Sequence, residues 1–568
     1  MTSVTRHLLL SLACACALLS LHACGGGGSS SSDGTATTQS AALPSASSGT
    51  ISAFGSVFVD GREFGTGSAH VIDDDTLAST SSTTDLEVGM AVDVRPLSGS
   101  TASSPQAAEI HVHPLARGIV DASDASANTL TVMGQTVQVT ASTTYTDHRA
   151  CLTAASSPCT AIIGQSGLTA TTGSGGAAVA GSFVTVDGYL YDSGSAGDVN
   201  IVATLVSVRD LPGGTHGANY KAEGVVTALT GTTATIGGLS VDLSTATCFA
   251  ADAQASCASA FSVGQVVSAF SAAEPTLPVT AFAPTTALLR DRLVVETAGA
   301  SVELEGVVSG VTTSPAAFVI RGVTIDASAL PAGTALPAVG DVVRVQGTVA
   351  TGGASVVASA LTVLHTARSA TYGFEGNDDG VTAGSTADTY VLTILGQSIA
   401  VNASTRLADL TVRGGNRGDS TAHPFNITTF QSYLSTSVSQ HLLVRSAADA
   451  SGNLSALSVV IVPASTVAGV TGVVDATPVP VNSSATGTPS TFSIHGVAVS
   501  ADPSAIVGIG HRASGAGTTI AAGDDVLALG TYAAPTLTVA AVSGTLLSRV
   551  NNVVIDSGVP PSGDHDGF

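Results

Sequence analysis

The chain has 568 residues, of which 44% are hydrophobic and 10% are charged, and its formal net charge is −23. A chain of this length is expected to hold several domains, and its acidity argues against nucleic acid as a partner, because that would need a basic face. The chain has no tryptophan and a single lysine, Lys221. This shortage excludes a phosphate-binding loop ending in Gly-Lys-Ser/Thr and argues against aromatic platforms on which nucleic-acid bases would stack.

Residues 1–23 have the layout of a secretory signal peptide, with a weakly basic start and an apolar run over residues 8–21. The run is too short to span a bilayer as a helix, which needs about 20 residues. The sequence Leu21-His22-Ala23-Cys24 resembles a bacterial lipobox. This resemblance implies cleavage before Cys24, with a diacylglycerol on its thiol and an acyl chain on its amino group. The alternative is a plain cleaved signal peptide with an incidental cysteine.

The glycine and serine run at the start of residues 24–48 predicts a flexible tether between this anchor and a folded body. Gly25 follows Cys24, where an aspartate would resemble the inner-membrane retention signal of lipoproteins. By the same resemblance, we expect a protein that is lipid-anchored at the outer membrane and faces the periplasm or the cell surface.

Four cysteines of the mature chain fall into two close pairs. An even number of cysteines in an exported chain predicts disulfides, here Cys151–Cys159 and Cys248–Cys257. A metal site is the alternative, but neither pair has the C-x-x-C spacing or a companion group of histidines.

One pattern recurs six times, an aliphatic residue, any residue and a glycine, followed three residues later by an apolar residue. It predicts a β-hairpin with a tight turn at the glycine. The six copies are Val59-Asp60-Gly61, Val132-Met133-Gly134, Ile236-Gly237-Gly238, Ile320-Arg321-Gly322, Ile394-Leu395-Gly396 and Ile494-His495-Gly496.

A strand that starts with glycine precedes each hairpin, and a strand with the pattern Gly-x-x-Val follows it. The first glycines are Gly49, Gly118, Gly224, Gly306, Gly373 and Gly472. The later valines are Val92, Val184, Val267, Val343 and Val526, and in the fifth unit, which lacks the glycine, we place this strand around Val444. A last strand closes each unit, so five strands recur in one order.

The sequence therefore predicts an all-β fold, a tandem array of about six small five-stranded OB-like barrels, with β-sandwich repeats as the alternative. The expected boundaries are a signal peptide (1–23), the tether (24–48), β repeats 1 to 6 (49–116, 117–221, 222–302, 303–369, 370–466 and 467–549) and a flexible tail (550–568). Both cysteine pairs fall between the third and fourth strands, in repeats 2 and 3. A disulfide is useful in such a long loop.

The glycine strand start, the aliphatic-x-Gly hairpin and the Gly-x-x-Val strand together resemble a repeated bacterial domain of unknown function found in lipoproteins of Gram-negative bacteria. The resemblance covers almost all of residues 49–549. It implies export and an OB-like fold, and it carries no known reaction or ligand. Unit five departs from the pattern through the inserted sequence FNITTFQSYLSTSVSQ.

Few residues suggest chemistry. His111 and His113 lie two residues apart on a predicted strand, so they share a face and are weak candidates for binding zinc or copper. The alternative is two exposed histidines at a strand end. Asp73-Asp74-Asp75 fits a solvated acidic turn better than a calcium site, and Asp564-His565-Asp566 lies in the tail. No Gly-x-Ser-x-Gly elbow is present, and we expect neither a cofactor nor catalysis.

We therefore expect a non-enzymatic, lipid-anchored envelope protein, an extended β scaffold or adhesin-like stalk. Its partners would be the membrane, through the lipid, and envelope proteins or polymers. The alternative is an exported enzyme or metal-binding protein whose site lies in an irregular insertion, residues 141–180 or 410–440. A third possibility is that the barrels pack into one compact assembly, because the junctions between units are short.

Overall fold

The six glycine turns share one backbone geometry in the computed structural model. In every turn both central residues have positive φ, for example 55° and 72° at Asp60 and Gly61, and 53° and 68° at Met133 and Gly134. This is the type I′ geometry, whose twist matches that of the two flanking strands. The predicted hairpins are confirmed at all six positions.

The structure describes residues 43–124, 127–152, 159, 162, 164–168, 182–191, 199–211, 220–250, 253–290, 297–351, 355–367, 369–412, 418, 424–434, 439–485, 487–508, 519–540 and 553–556. The predicted signal peptide, Cys24, most of the tether and nearly all of the tail lie outside these residues.

Each hairpin belongs to one barrel. Barrel 1 contains Ala46–Ala53 (β1), Val57–Val59 (β2), Arg62–Phe64 (β3), His70–Asp73 (β4), Ala78–Thr80 (β5), Ala91–Pro96 (β6) and Ala107–Val112 (β7). Barrel 2 contains Ala116–Asp124 (β8), Thr129–Val132 (β9), Gln135–Gln138 (β10), Thr144–Asp147 (β11), Phe183–Leu190 (β12) and Ile201–Arg209 (β13). Barrel 3 contains Tyr220–Thr230 (β14), Thr233–Ile236 (β15), Leu239–Asp242 (β16), Thr247–Ala250 (β17), Ala253–Ala255 (β18), the helix Cys257–Ala260 (α1), Val266–Ser271 (β19), Ala281–Phe282 (β20) and Thr286–Arg290 (β21).

The second half repeats the plan. Barrel 4 contains Ser301–Thr313 (β22), Ala316–Ile320 (β23), Val323–Asp326 (β24), Val342–Val349 (β25) and Ser355–His365 (β26). Barrel 5 contains Thr371–Ala383 (β27), Tyr390–Ile394 (β28), Gln397–Val401 (β29), Arg406–Asp409 (β30), the helix Phe430–Leu434 (α2), His441–Ala448 (β31) and Leu454–Val462 (β32). Barrel 6 contains Ala468–Val473 (β33), Ser490–Ile494 (β34), Val497–Ala501 (β35), Ile506–Gly508 (β36), Asp525–Ala533 (β37), Thr536–Val539 (β38) and Val553–Asp556 (β39).

Barrel 2 shows how a unit closes. The first strand, β8, pairs antiparallel with both β9 and β12, β9 pairs with β10, and β12 pairs with β13. The third strand, β10, then runs parallel to the last strand, β13, and closes the ring. The other units follow the same order, so the predicted array of small five-stranded barrels is confirmed and the open β-sandwich is excluded.

One strand was not expected. In five barrels a short strand after the hairpin runs parallel to the last strand, as β4, β11, β17, β30 and β36. The last strand extends beyond the ring, and the short strand pairs with this free part of its edge.

In barrels 1, 2 and 4 the two glycine motifs meet across neighbouring strands. Gly49 is directly opposite Val92, Gly118 opposite Val184 and Gly306 opposite Val343. The first residue of the type I′ turn folds over this glycine, so that an added Cβ at Gly49 would lie 2.1 Å from Asp60 Oδ1. The repeated glycine is therefore explained by close packing of the turn.

In unit five the first-strand glycine differs from the one that we predicted. Gly376, and not Gly373, lies opposite the fourth strand at the matching position, where its partner is Leu442 and not Val444. Leu395 at the turn packs over Gly376, 3.1 Å from the position of an added Cβ. The predicted strand around Val444 is present as β31. Only the choice of Gly373 was wrong, because the fifth unit lacks the Gly-x-x-Val signal that fixes the alignment elsewhere.

The barrels join in pairs through their first strands. β8 pairs antiparallel with β14 and β27 with β33, whereas β1 pairs parallel with β22. Barrels 2 and 3 share one hydrophobic core, and barrels 5 and 6 share another. Ala42–Phe568 form one compact unit. The expectation of an extended string is therefore wrong, because sheets and cores continue from barrel to barrel, and the compact assembly is what forms.

Candidate functional site

His111 lies in β7 and His113 just after it, where barrels 1, 2 and 3 meet. His111 Nδ1 is 2.8 Å from Asp74 Oδ1, and its Nε2 is 3.3 Å from Glu109 Oε2. His113 Nδ1 is 3.7 Å from Asp74 Oδ2, and its Nε2 is 3.8 Å from Glu223 Oε1. The hydrogen bond that His111 donates to Asp74 raises the pKa of His111. Neither histidine projects freely from a strand end.

The described residues contain no group of three or more His, Cys, Asp or Glu side chains that could hold a metal ion. In this part of the chain, His111 and His113 are held by carboxylates of barrels 1 and 3. His111 thus contacts two carboxylates of its own barrel, whereas His113 lies between Asp74 of barrel 1 and Glu223 of barrel 3.

Lys221 lies beside the histidines and its side chain is 0% exposed. Its Nζ is 2.7 Å from Asp75 Oδ1 and 3.0 Å from Glu223 Oε2, and the Arg290 guanidinium contacts Asp75 as well. Burial opposes ionisation of Glu223, but Lys221, His113 and Arg290 together hold its pKa at about 2. The junction is thus a buried network in which each charge has an opposite partner, as burial requires.

The acidic triplet corrects the sequence interpretation in part. Asp73 makes the expected turn, accepting a hydrogen bond from the Asp75 backbone N–H at 2.8 Å. The Asp75 side chain, however, is 0% exposed, because Lys221 and Arg290 reach it from barrel 3. The sequence signal that we missed is a single lysine two residues before a glutamate inside an otherwise apolar strand.

A second buried network joins barrels 1 and 2 around Glu87. Thr146 Oγ1 donates to Glu87 Oε2 at 2.6 Å, and His148 Nε2 and Arg209 Nη2 lie 3.0 Å and 2.9 Å from its two oxygens. Asp187 is 1% exposed and lies in the field of Glu87. Burial and the Glu87 charge raise the pKa of Asp187 to about 7.

A third network joins barrels 1 and 4. The side chains of Arg62 and Glu303 are buried with Arg62 Nη2 3.5 Å from Glu303 Oε2, while Arg344 Nη2 is 3.4 Å from Glu305 Oε2. Arg344 also lies 3.6 Å from Asp60 Oδ1 at the turn of barrel 1. Burial raises the pKa of Asp60 well above its usual range.

The contact between these two barrels is reciprocal. The turn residue of barrel 1, Asp60, meets Arg344 on the fourth strand of barrel 4, and the turn residue of barrel 4, Arg321, meets Asp93 on the fourth strand of barrel 1. In Arg321 and Asp93 the nitrogen and oxygen are 3.4 Å apart. A turn residue of each barrel thus forms an ion pair with the other barrel.

A cleft of about 280 Å³ opens between barrels 2, 4 and 5. Apolar side chains of barrels 2 and 4 form much of its wall, and polar side chains of barrel 2 and Arg406 of barrel 5 complete it. Its lining residues are Gln138, Thr140, Ser142, Tyr189, Tyr191, Val202, Ala203, Thr204, Val307, Val339, Gly340, Val342, His365, Ala367 and Arg406. Its size is near the lower end of small-molecule sites.

Arg406 is the first residue of β30 and is 7% exposed. Its Nη1 donates a hydrogen bond to the backbone oxygen of Thr204 at 3.2 Å. Burial lowers the pKa of Arg406, and the negative charge of Glu305 opposes this shift. Burial also lowers the pKa of His365, against the charge of Asp341. No sequence pattern pointed to this cleft, because its residues come from three different repeats.

Both predicted disulfides are present. The Cα atoms of Cys151 and Cys159 are 5.4 Å apart, and those of Cys248 and Cys257 are 5.2 Å apart. Both lie between the third and fourth strands of the five-stranded ring, in barrels 2 and 3, as expected. Among the helices that the structure describes, none has the length and apolar character to cross a membrane.

The inserted segment of barrel 5 packs against barrel 1 where it is described. Asn426 Nδ2 donates to the Phe54 backbone oxygen at 2.9 Å, and the Gly418 N–H donates to the Leu86 backbone oxygen at 2.9 Å. Phe425 and Phe430 stack with their ring centres 5.7 Å apart in the core. Most of the other candidate insertion, residues 141–180, lies outside the described part after residue 152.

A family model described as Domain of unknown function (DUF5666) matches residues 117–204 and 223–270. The first segment falls in barrel 2 and the second in barrel 3, the pair that shares one core. The expected resemblance to a domain of unknown function is confirmed for these two barrels. A search of curated proteins finds no significant match to the chain.

Proposed function

We propose that this protein is a non-enzymatic, lipid-anchored envelope protein whose six barrels form one binding scaffold. One observation carries the proposal: three networks of buried charged side chains hold barrels together. Lys221 is bound between Asp75 and Glu223, and Arg62 and Arg344 contact the acidic residues of the barrel 1 and barrel 4 junction. Side chains committed in this way support a rigid framework.

The anchor is the lipobox-like cysteine, Cys24, which precedes the glycine and serine run. Acyl chains on Cys24 would hold the body at the outer membrane, since each buried CH₂ contributes about 0.8 kcal/mol and more than one chain is needed for stable binding. The OB-like character of the barrels is part of the same proposal, and the closed strand order with parallel third and last strands supports it.

The packing of the barrel 5 insertion favours a scaffold over an exported enzyme or metal-binding protein. Its described residues contact barrel 1 and the core, for example through Asn426 and Phe430. A segment used in this way supports assembly. Envelope proteins or polymers are the partners that we propose for the acidic outer surface.

Membrane fractionation of cells expressing the intact chain and the Cys24→Ser variant tests the anchor. We expect the intact chain in the outer-membrane fraction with an acylated Cys24 by mass spectrometry, and the variant in the soluble fraction. Equal fractionation of the two chains would contradict the proposal. Protease treatment of whole cells then separates the two orientations, because barrel peptides are released only from a body on the cell surface.

A further inference from the structure

We propose that the cleft between barrels 2, 4 and 5 binds a small organic monocarboxylate, with its carboxylate on Arg406 and its apolar part against the valines of barrels 2 and 4. This site is independent of the lipid anchor and of the envelope partner proposed above. It follows from the position, burial and partners of a single cation.

Arg406 is buried, yet in the described residues no carboxylate lies within 4.0 Å of its guanidinium, and Thr204 O accepts its one hydrogen bond. A guanidinium has five N–H donors arranged to bind a carboxylate with two parallel hydrogen bonds. A buried cation without an ion-pair partner is costly. An anion that enters the cleft from solution would supply the missing partner.

The neighbouring glutamate is already committed. Glu305 accepts hydrogen bonds from Thr50 Oγ1 at 3.0 Å and from Tyr189 OH at 2.9 Å, and Arg344 lies 3.4 Å from its other oxygen. The Glu305 charge interacts electrostatically with Arg406, but the two side chains form no ion pair within 4.0 Å. Lys221, in contrast, has two carboxylates within 3.0 Å. Arg406 therefore differs from the cations of the three networks that join barrels.

A second buried polar group points to a ligand. Thr204 lines the cleft, and its buried hydroxyl has no hydrogen-bond partner within the described chain. A buried hydroxyl without a partner is rare in folded proteins. Together with Arg406, it offers one hydrogen-bonding hydroxyl and one cation at the same wall.

The composition of the wall selects the ligand class. One arginine matches a single negative charge, and the chain's net charge of −23 disfavours the approach of multiply charged anions such as phosphates. Val202, Val307, Val342 and Ala367 form an apolar surface for the remainder of the molecule. The volume of about 280 Å³ fits a ligand of the size of one aromatic ring with a carboxylate.

The test uses 4-fluorobenzoate and the uncharged 4-fluorobenzamide as probes, with binding to the disulfide-intact chain followed by ¹⁹F NMR. We expect 4-fluorobenzoate to bind with a Kd on the order of 1 mM, which is usual for so few atoms. The amide should bind at least tenfold more weakly. Arg406→Gln should weaken 4-fluorobenzoate at least tenfold, because it removes the charge but keeps hydrogen-bonding atoms.

Arg445→Gln is the matched control, since Arg445 is a buried arginine of the same barrel that does not line this cleft. The affinity of the Arg445→Gln variant for 4-fluorobenzoate should stay within twofold of that of the unaltered chain. Ala367→Phe, which fills the cleft, should abolish binding and gives the answer if Arg406→Gln does not fold. The proposal is overturned if the amide binds as well as the carboxylate, if Ala367→Phe retains the affinity, or if no binding occurs at about 10 mM, tenfold above the expected Kd.

Discussion

Lys221 shows how much a single side chain can contribute to joining two barrels. The chain has one lysine, and the fold buries it completely between Asp75 of barrel 1 and Glu223 of barrel 3. Removing one partner of a buried charge network leaves the others uncompensated, which is costlier than losing a surface pair. The residue is therefore structural, and its energetic weight can be measured.

Lys221→Met should lower the free energy of unfolding by about 3–5 kcal/mol, because Asp75 and Glu223 stay buried without the ammonium. Arg95→Gln is the control, as the Arg95–Glu109 pair is 42% and 38% exposed and should contribute less than about 1 kcal/mol. Urea unfolding at pH 7 measures both. Losses of equal size would show that burial does not distinguish these pairs.

Asp187 predicts a pH dependence of the opposite sign to that of an ordinary ion-paired carboxylate. Its folded pKa of about 7 lies above the usual 3.8, so the folded chain binds the proton more tightly than the unfolded chain. The stability contributed by this group is present below pH 4 and is lost as the pH rises toward 7.

Asp187→Asn should therefore match the unaltered chain at pH 4 and exceed its free energy of unfolding at pH 8, by up to about 4 kcal/mol. Urea titrations at several pH values give the difference. Asp326→Asn is the control, because Asp326 is partly exposed and hydrogen bonds with Ser328 lower its pKa. The stability that Asp326 contributes is lost as the pH falls. A higher free energy of unfolding for Asp326→Asn than for the unaltered chain at pH 8 would contradict the argument.

At the scale of elements, the repeated glycine and the type I′ turn act as one unit. Gly49 leaves the space that Asp60 occupies, and Asp60 in turn lies 3.6 Å from Arg344 of barrel 4. A side chain on the first strand therefore disturbs both the hairpin and the junction between barrels.

Gly49→Ala should destabilise the protein by about 1–3 kcal/mol through overpacking. Gly310→Ala is the matched control on the first strand of barrel 4, where an added Cβ has its nearest contact at an ordinary 3.9 Å, from Val319. This variant should be neutral or slightly stabilising. Thermal unfolding of the two variants measures the difference. Equal unfolding midpoints would contradict the conclusion that Gly49 is needed for close packing of the turn.

The two disulfides close loops of nearly equal length, with sequence separations of 8 and 9. Chain entropy alone assigns each about 2.5 kcal/mol. Cys248 and Cys257 are buried in the shared core, whereas Cys151 and Cys159 are only half-buried.

Replacing Cys248 and Cys257 by alanine should therefore cost more than replacing Cys151 and Cys159, because packing is lost besides loop closure. Urea unfolding of the two double variants gives the comparison. The expectation fails if the half-buried pair is the costlier one.

For the whole molecule, the shared sheets predict cooperative unfolding. Each barrel contributes strands or charges to a neighbour, so none of the six is independent. Calorimetry should give a ratio of calorimetric to van't Hoff enthalpy near one, whereas six independent barrels would give a ratio near six. A high ratio would mean that the junctions couple the barrels only weakly.

The local parts of this fold were predictable from sequence, and the contacts between barrels were not. A turn such as Val59-Asp60-Gly61 specifies a hairpin through backbone conformation, a property of three adjacent residues. The pairing of Lys221 with Asp75 joins residues 146 positions apart. The cleft at Arg406 likewise needs three repeats in one place, and a sequence repeat carries no information on how its copies pack.

The parallel pairing of β1 with β22 has a consequence for the order in which the chain is made. Ser45 N–H donates to Ser301 O at 2.7 Å, and the partner is synthesised 256 residues later. At about 5–20 residues per second, that delay is on the order of tens of seconds. During this time one edge of the first strand has no partner and can pair with another nascent chain. Premature release of a chain that ends before barrel 4 would therefore produce an aggregating fragment.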